Sequence, residues 1–436
     1  MTRIILATLL CSLFAGHAAA QDFIETDYVE MPELEPDYTV EGGLGHEVAL
    51  AGNHVLVTAP SAFDRDGALF AFHLTNDGLL QFRQRLVPSE STYQLGSNSL
   101  AADGNHAVVG KTGSVLYFFT RNGDTWQQTQ RLALADVPEP PGIDIRGLGS
   151  DMAMSGDLLA ISDYEARVQY GGSELNRAGA VMLYRRGGNG QWALEAIVTS
   201  PTPAASAWFG HAVAVSGNTL LVGAYNENKA YVFERVGGQW QAVRSLQPLG
   251  ISSTCTNSYC YGWSVALSGD LAVVGQRSGT LLPGASNKGS IHTYERNLGG
   301  PGQWGFRGEY LSSQSGYIDE FSSSLALRGK VLLVGASNGN FASFFVHRDG
   351  SGWEEVAVLD PDDTDHNIGN ANFGKAVAFS GLRAVIGAPS FPDMDVLPGG
   401  GRERWGSVHA WTDISGGGCD NPLDGIYCDG FEGGGD

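Results

Sequence analysis

Residues 209–240 read FGHAVAVSGNTLLVGAYNENKAYVFERVGGQW. Three short apolar runs stand in this stretch, AVAV, LLVGA and AYVF, and Trp240 follows the last turn. Turn-forming residues separate the runs: Ser216-Gly217-Asn218, then 225–229, then Gly237-Gly238. Short β-prone runs between Gly/Asn turns predict antiparallel strands, here at 211–216, 219–224, 229–234 and 239–246. One four-stranded sheet cannot bury both of its faces, so the chain needs more of them.

The turn glycine shows how it supplies them. Equivalent glycines stand at Gly52, Gly104, Gly156, Gly217, Gly269, Gly329 and Gly381, each between two apolar runs. The intervals are 52, 52, 61, 52, 60 and 52 residues. A repeat near 50 residues with four strands per unit is the signature of a β-propeller. The expected fold is all-β: a seven-bladed β-propeller with four antiparallel strands per blade. The seventh unit runs out after Trp411-Thr412, before Gly416-Gly417-Gly418, one strand short. A strand near 28–34, placed by its distance to Gly52, is expected to complete it and leave no open sheet edge.

The chain has 436 residues, and seven such units use most of it, leaving no second large domain. Residues 1–20 predict a secretory signal peptide. Arg3 starts it, 4–14 is an apolar run too short to span a bilayer, and Ala18-Ala19-Ala20 precedes the expected cut. The propeller is expected over 21–412, and 413–436 forms a Gly/Asp-rich tail. The chain is expected to be exported: secreted, periplasmic or on the cell surface. Beyond Cys11 the cysteines form two local pairs, Cys255 with Cys260 and Cys419 with Cys428, which predict two small-loop disulfides. The formal net charge is −21, which disfavours nucleic acid and anionic membrane as partners.

Tryptophans open the fourth strand of five units: Trp126, Trp192, Trp240, Trp304 and Trp353. Sugar stacking could use such residues, but their equivalence points to packing between blades. The second-to-third loops are long in odd-numbered units, at 61–66, 165–177, 277–288 and 390–404. They emerge on the same face as the connections between units, so the long loops gather on one face.

The pattern Phe-Gly-x-x-Val-Ala-x-Ser-Gly…Val-Gly-Ala-Pro resembles the FG-GAP repeat of integrin α-subunit propellers and their bacterial relatives. FG stands at Phe209-Gly210 and Phe373-Gly374, varied at Leu44-Gly45, Leu95-Gly96, Leu148-Gly149, Tyr261-Gly262 and Phe321-Ser322. GAP stands in full at Gly387-Ala388-Pro389. The resemblance implies an interaction module. In the calcium-binding version an acidic loop joins the first two strands. Here a Gly-centred two-residue turn replaces it, too short to supply six to eight oxygens. No calcium, other metal or cofactor is expected.

Chemistry is not visible in any motif. Residues 335–339 match G-x-S-x-G, but no helix pattern follows as a nucleophile elbow requires. His46 and His211 both follow the FG glycine, which points to structure, and no histidine pair has metal spacing. The expected function is a non-catalytic, adhesion-like binding propeller, a monomer without a membrane span, that recognises a protein or glycan on its long-loop face. The alternative is a hydrolase or lyase acting on extracellular polymer. Tyr170, Trp208, Tyr259, Trp405, Asp64 and Asp66 are the candidate ligand-binding residues, because rigid aromatic side chains on loops carry binding energy at low entropic cost.

Overall fold

The computed structural model describes residues 23–30, 42–90, 92–111, 115–247, 261–278, 288–314, 320–361, 371–381, 383–390 and 406–413. Each of the seven sequence units forms a four-stranded antiparallel sheet. The fourth consists of Ala212–Ser216, Thr219–Ala224, Lys229–Val236 and Gln239–Leu246, within two residues of expectation. In all seven a two-residue turn joins the first two strands. Its first residue is a glycine with φ between 54° and 66°. At Gly52, Gly104, Gly156, Gly217, Gly269 and Gly381 a Cβ would meet nothing within 4 Å, so glycine is needed there for its positive φ, as a type II′ hairpin turn demands.

The first strands contact one another in chain order. They are Val48–Ala51, Leu95–Asp103, Met152–Ser155, Ala212–Ser216, Tyr261–Ser268, Phe321–Arg328 and Ala376–Ser380; the last also contacts the first. The apolar core follows the same order. Each of seven buried clusters joins two neighbouring sheets, and one of them unites Val385 and Val408 of the seventh sheet with Val57 and Phe70 of the first. Each sheet therefore buries both faces against its neighbours, which explains the nearly continuous burial of second strands such as Thr219–Ala224.

The FG and GAP glycines meet at these boundaries. A Cβ on Gly223 would stand 2.2 Å from the Gly262 carbonyl oxygen, one on Gly335 2.1 Å from that of Gly374, and one on Gly387 1.9 Å from that of Gly45. Where the second strand carries Thr58, the space is made by Gly96 instead. The motif is thus a steric one: the small residues let the backbone of one unit seat on the next.

The seventh sheet takes its fourth strand from the N-terminal side, but earlier in the chain than spacing implied. The strand is Phe23–Glu30, paired from Phe23↔Asp413 to Glu30↔Ser407. Contacts outside the ladder hold this register. Phe23 stacks on Phe344 of the sixth sheet at 4.7 Å. Thr26 Oγ1 donates to the Gly78 carbonyl, and Asp27 Oδ2 accepts from the Leu80 amide of the first sheet.

Trp126, Trp192, Trp304 and Trp353 are buried and Trp240 partly so. Three lie under arginines, Arg121, Arg186 and Arg296, as packing residues. The insertion in the third unit is a hairpin, Arg167–Tyr170 and Ser173–Leu175, extended by Ile143–Asp144 into a separate three-stranded sheet. The expected cysteine pairs, the signal peptide and the tail beyond Asp413 lie outside the described residues. Among the described residues no helix is long and apolar enough to cross a membrane.

Candidate functional site

The residue after each FG element lies within two residues of the start of the first strand of its sheet. In the seven units these are His46, Ser97, Ser150, His211, Trp263, Ser323 and Lys375, and all seven line one cavity of about 510 Å³. The cavity runs along the first strands, from His211 to Val215 in the fourth sheet and from Trp263 to Leu267 in the fifth.

One wall is aromatic. Tyr164, His211 and Trp263 face the cavity. Behind them Trp208 stacks on Tyr164 at 5.3 Å, and Tyr225 sets its edge against His211 at 4.4 Å. Tyr225 also lies 5.3 Å from Trp263, whose far side carries the Arg277 guanidinium at 4.4 Å. His211 is oriented by donating Nδ1–H to the Trp263 carbonyl at 2.9 Å. Trp208 holds φ +57°, an uncommon conformation for a bulky side chain. Gln94, Glu320 and Asn372 share it at the same place before FG. The repeat imposes this backbone, and at 208 a tryptophan accepts it. Retained strain of this kind clusters at binding sites.

The lining also carries polar groups, set among apolar first-strand residues such as Val48, Val215 and Leu327. Glu47 and Asp151 are half-buried. Burial pushes Glu47 up to about 7, an effect that Asp151 adds to and Lys375 opposes. Burial pushes Asp151 up to about 6, against hydrogen bonds from the Val213 and Met152 amides. Burial holds His46 and His211 down at about 4, and Lys375 acts in the same direction on both. Near neutral pH the cavity therefore offers two neutral imidazoles, two carboxyls that titrate close to that pH, serine hydroxyls and one lysine.

The chain is similar to known proteins in its repeat and in its fold. The FG-GAP repeat family matches residues 192–233, which run from the fourth strand of the third sheet to the third strand of the fourth. The β-propeller domain of Cps50 (Swd1) from Myceliophteria thermophila aligns with 88% of this chain and 99% of its own, at 11% identity and a TM-score of 0.52. Residues 192–233 carry an FG-GAP repeat, in a chain with the fold of a β-propeller. A Lactobacillus plantarum protein aligns with 72% of the chain and 84% of its own, at 13% identity and a TM-score of 0.49. No curated protein matches the sequence.

Of the residues singled out from sequence, only Trp208 belongs to the aromatic cluster, and it stands behind the cavity wall. Tyr170 is exposed on the hairpin of the third unit and is not one of the stacked rings. Asp64 and Asp66 are exposed on and beside the short turn Ala62–Arg65. Tyr259 and Trp405 lie outside the described residues. Sequence reasoning passed over Tyr164, Trp263, Glu47, Asp151 and Lys375, and read His46 and His211 as structural. Reading the position after FG across all seven units would have found four of these.

The carboxyls make stability depend on pH. Glu47 binds its proton more tightly in the folded propeller, so its contribution is complete below about 4.5 and is lost as pH rises towards about 7. Glu47→Gln is expected to gain in melting temperature over wild type between pH 5 and pH 8. Thermal melts at a series of pH values check this; a constant difference would exclude a raised carboxyl.

Proposed function

We propose that the seven sheets are the blades of a closed propeller whose exported chain is a non-catalytic binding module, recognising a protein or glycan through the cavity face. The observation that carries this is the aromatic wall of Tyr164, His211 and Trp263, backed by Trp208 and Tyr225, beside the carboxyls, serines and lysine of the same cavity. Flat rings stack on sugar faces or apolar side chains, while serines, carboxyls and a lysine fix orientation. The charge of −21 argues against nucleic acid. The binding module acts as a monomer in this reading.

Screening the purified chain on glycan and protein arrays would find the ligand. Trp263→Ala is then expected to cost about 2 kcal/mol, roughly 30-fold in affinity, as loss of a central aromatic anchor does. Changes to the Gly-rich turns at 186–190 and 235–238, at the opposite ends of the strands, are expected to leave binding intact. If only those far-end variants lost binding while both proteins stayed folded, the cavity would be the wrong site.

A second reading has one observation in its favour: Glu47 and Asp151 share the cavity, and both titrate higher than ordinary carboxyls, as acid–base residues of hydrolases and lyases do. Turnover of an extracellular polysaccharide, abolished in Glu47→Gln, would establish that reading over the binding one.

A further inference from the structure

At the other ends of the strands, between the first and second sheets, His54, His73 and Asp124 converge. His54 and His73 are direct cross-strand partners, the first residue after the turn at Gly52 and its opposite on the third strand. Their rings lie 5.4 Å apart, edge to face. Asp124 comes from the second sheet, in the two-residue turn that joins Asn122 to Thr125. Its Oδ1 lies 3.9 Å from His54 Nε2. One ligand atom from each of the three falls within 4.8 Å of the others, and no other His/Cys/Asp/Glu group among the described residues does this.

We propose that His54, His73 and Asp124 form a binding site for a transition-metal dication of the zinc class.

Three features support it. First, the imidazoles have donor capacity to spare. His54 is only 6% exposed, and the Nδ1 atoms of His54 and His73 are both shut off from solvent without a hydrogen-bond partner. A buried polar nitrogen in that state destabilises the fold unless something satisfies it. Second, the arrangement is particular to this sheet. The same cross-strand pair is Leu158↔Arg185 in the third sheet, Thr219↔Glu234 in the fourth and Leu271↔Glu295 in the fifth. The repeat architecture does not require imidazoles here. Third, the ligand set fits the ion. Two imidazoles and a carboxylate bind zinc at about 2.0–2.2 Å, with the fourth position left to water. Asp124 is exposed, so the site opens to solvent on that side and an ion can enter. The three ligand atoms lie within 4.8 Å of one another, so side-chain adjustment must close them onto one ion.

Two arginines limit the affinity. Arg83 lies 3.8 Å from Asp124 Oδ2, and Arg121 is near enough to act on His54. Their charge opposes a dication, so binding is expected to be weaker than at a structural zinc site with four protein ligands.

The test uses the full chain, freed of metal with chelator and titrated with zinc chloride by calorimetry and thermal melting. Wild type is expected to bind one zinc saturably and to melt higher in its presence, while calcium chloride leaves the melt unchanged. His73→Ala and Asp124→Asn are expected to weaken zinc by at least the roughly 10- to 100-fold that loss of an outer-shell partner costs. Asp124→Asn keeps the shape of an exposed turn residue, so it remains informative if His73→Ala fails to fold. His106→Asn, altered at the corresponding position of the second sheet, is expected to keep wild-type affinity. Zinc affinity unchanged in Asp124→Asn, absent from wild type, or reduced as much by His106→Asn would overturn the site.

Discussion

Deleting residues 23–30 is expected to abolish cooperative folding of the chain. The strand Phe23–Glu30 is the outer member of the seventh sheet, and its loss exposes the whole edge of Ser407–Asp413. An unpaired strand edge recruits other chains, so aggregation is expected as well as instability. The strand also holds three sheets together. Phe23 packs on Phe344 of the sixth, Val29 joins the core between the seventh and first, and Thr26 and Asp27 bind the first sheet's last turn. Burying Val29 stabilises by roughly 1.5–3 kcal/mol, and the partly buried Phe23 adds less than a fully buried ring would. Removing Glu25 would take away the carboxylate bonded to buried His409 Nδ1, a further loss. Together with the ladder, this approaches the roughly 5–15 kcal/mol by which whole domains are stable. The comparison is a chain ending at 415, which loses Gly- and Asp-rich sequence with few apolar side chains and is expected to melt close to wild type. Circular dichroism melts and size-exclusion chromatography of the two deletions decide it. Greater damage from the C-terminal deletion would refute closure by the N-terminal strand.

The fold was legible because each repeat writes its local rules into the chain. Gly217 and its six equivalents mark turns through backbone conformation, and alternation of apolar runs marks the strands they join. These are short-range effects, so the strands of the fourth unit were placed within two residues. The terminal strand was placed too late because spacing to Gly52 carries no information about Phe344 or Gly78, which set its register. The site was less legible for a related reason. Its members come from seven units, and each alone looks like an ordinary residue at the start of a strand. His46, Trp263 and Lys375 gain meaning only when the fold points them at one cavity. The same holds for His54, His73 and Asp124, whose spacing in sequence matches no metal motif. Trp208 was found because a tryptophan in a loop stands out by itself.

Gly387→Ala is expected to be among the most destabilising single-methyl changes in the protein. No positive φ requires glycine at this position, so alanine is conformationally acceptable, and the cost comes from space alone. The new Cβ would stand 1.9 Å from the Gly45 carbonyl oxygen and 2.8 Å from its carbon, both backbone atoms. Neither can swing aside as a side-chain end would, so the seventh and first sheets must part. Overpacking of this sort costs about 1–3 kcal/mol and more where backbone must move. Gly223→Ala creates the same clash, 2.2 Å from the Gly262 carbonyl oxygen, between the fourth and fifth sheets. Gly217→Ala is the contrasting case: nothing lies within 4 Å of its Cβ, and only the φ of 57° resists it, at about 1 kcal/mol. Denaturant melts of the three variants are expected to rank Gly387→Ala and Gly223→Ala together, below Gly217→Ala. The ranking bears on architecture as well as packing. Gly223 and Gly262 belong to sheets whose units are adjacent in the chain, and they would meet in an open array. Gly387 and Gly45 meet only if the last unit returns to the first. A Gly387→Ala protein as stable as wild type, beside a Gly223→Ala protein that is not, would mean that the seventh sheet does not close on the first.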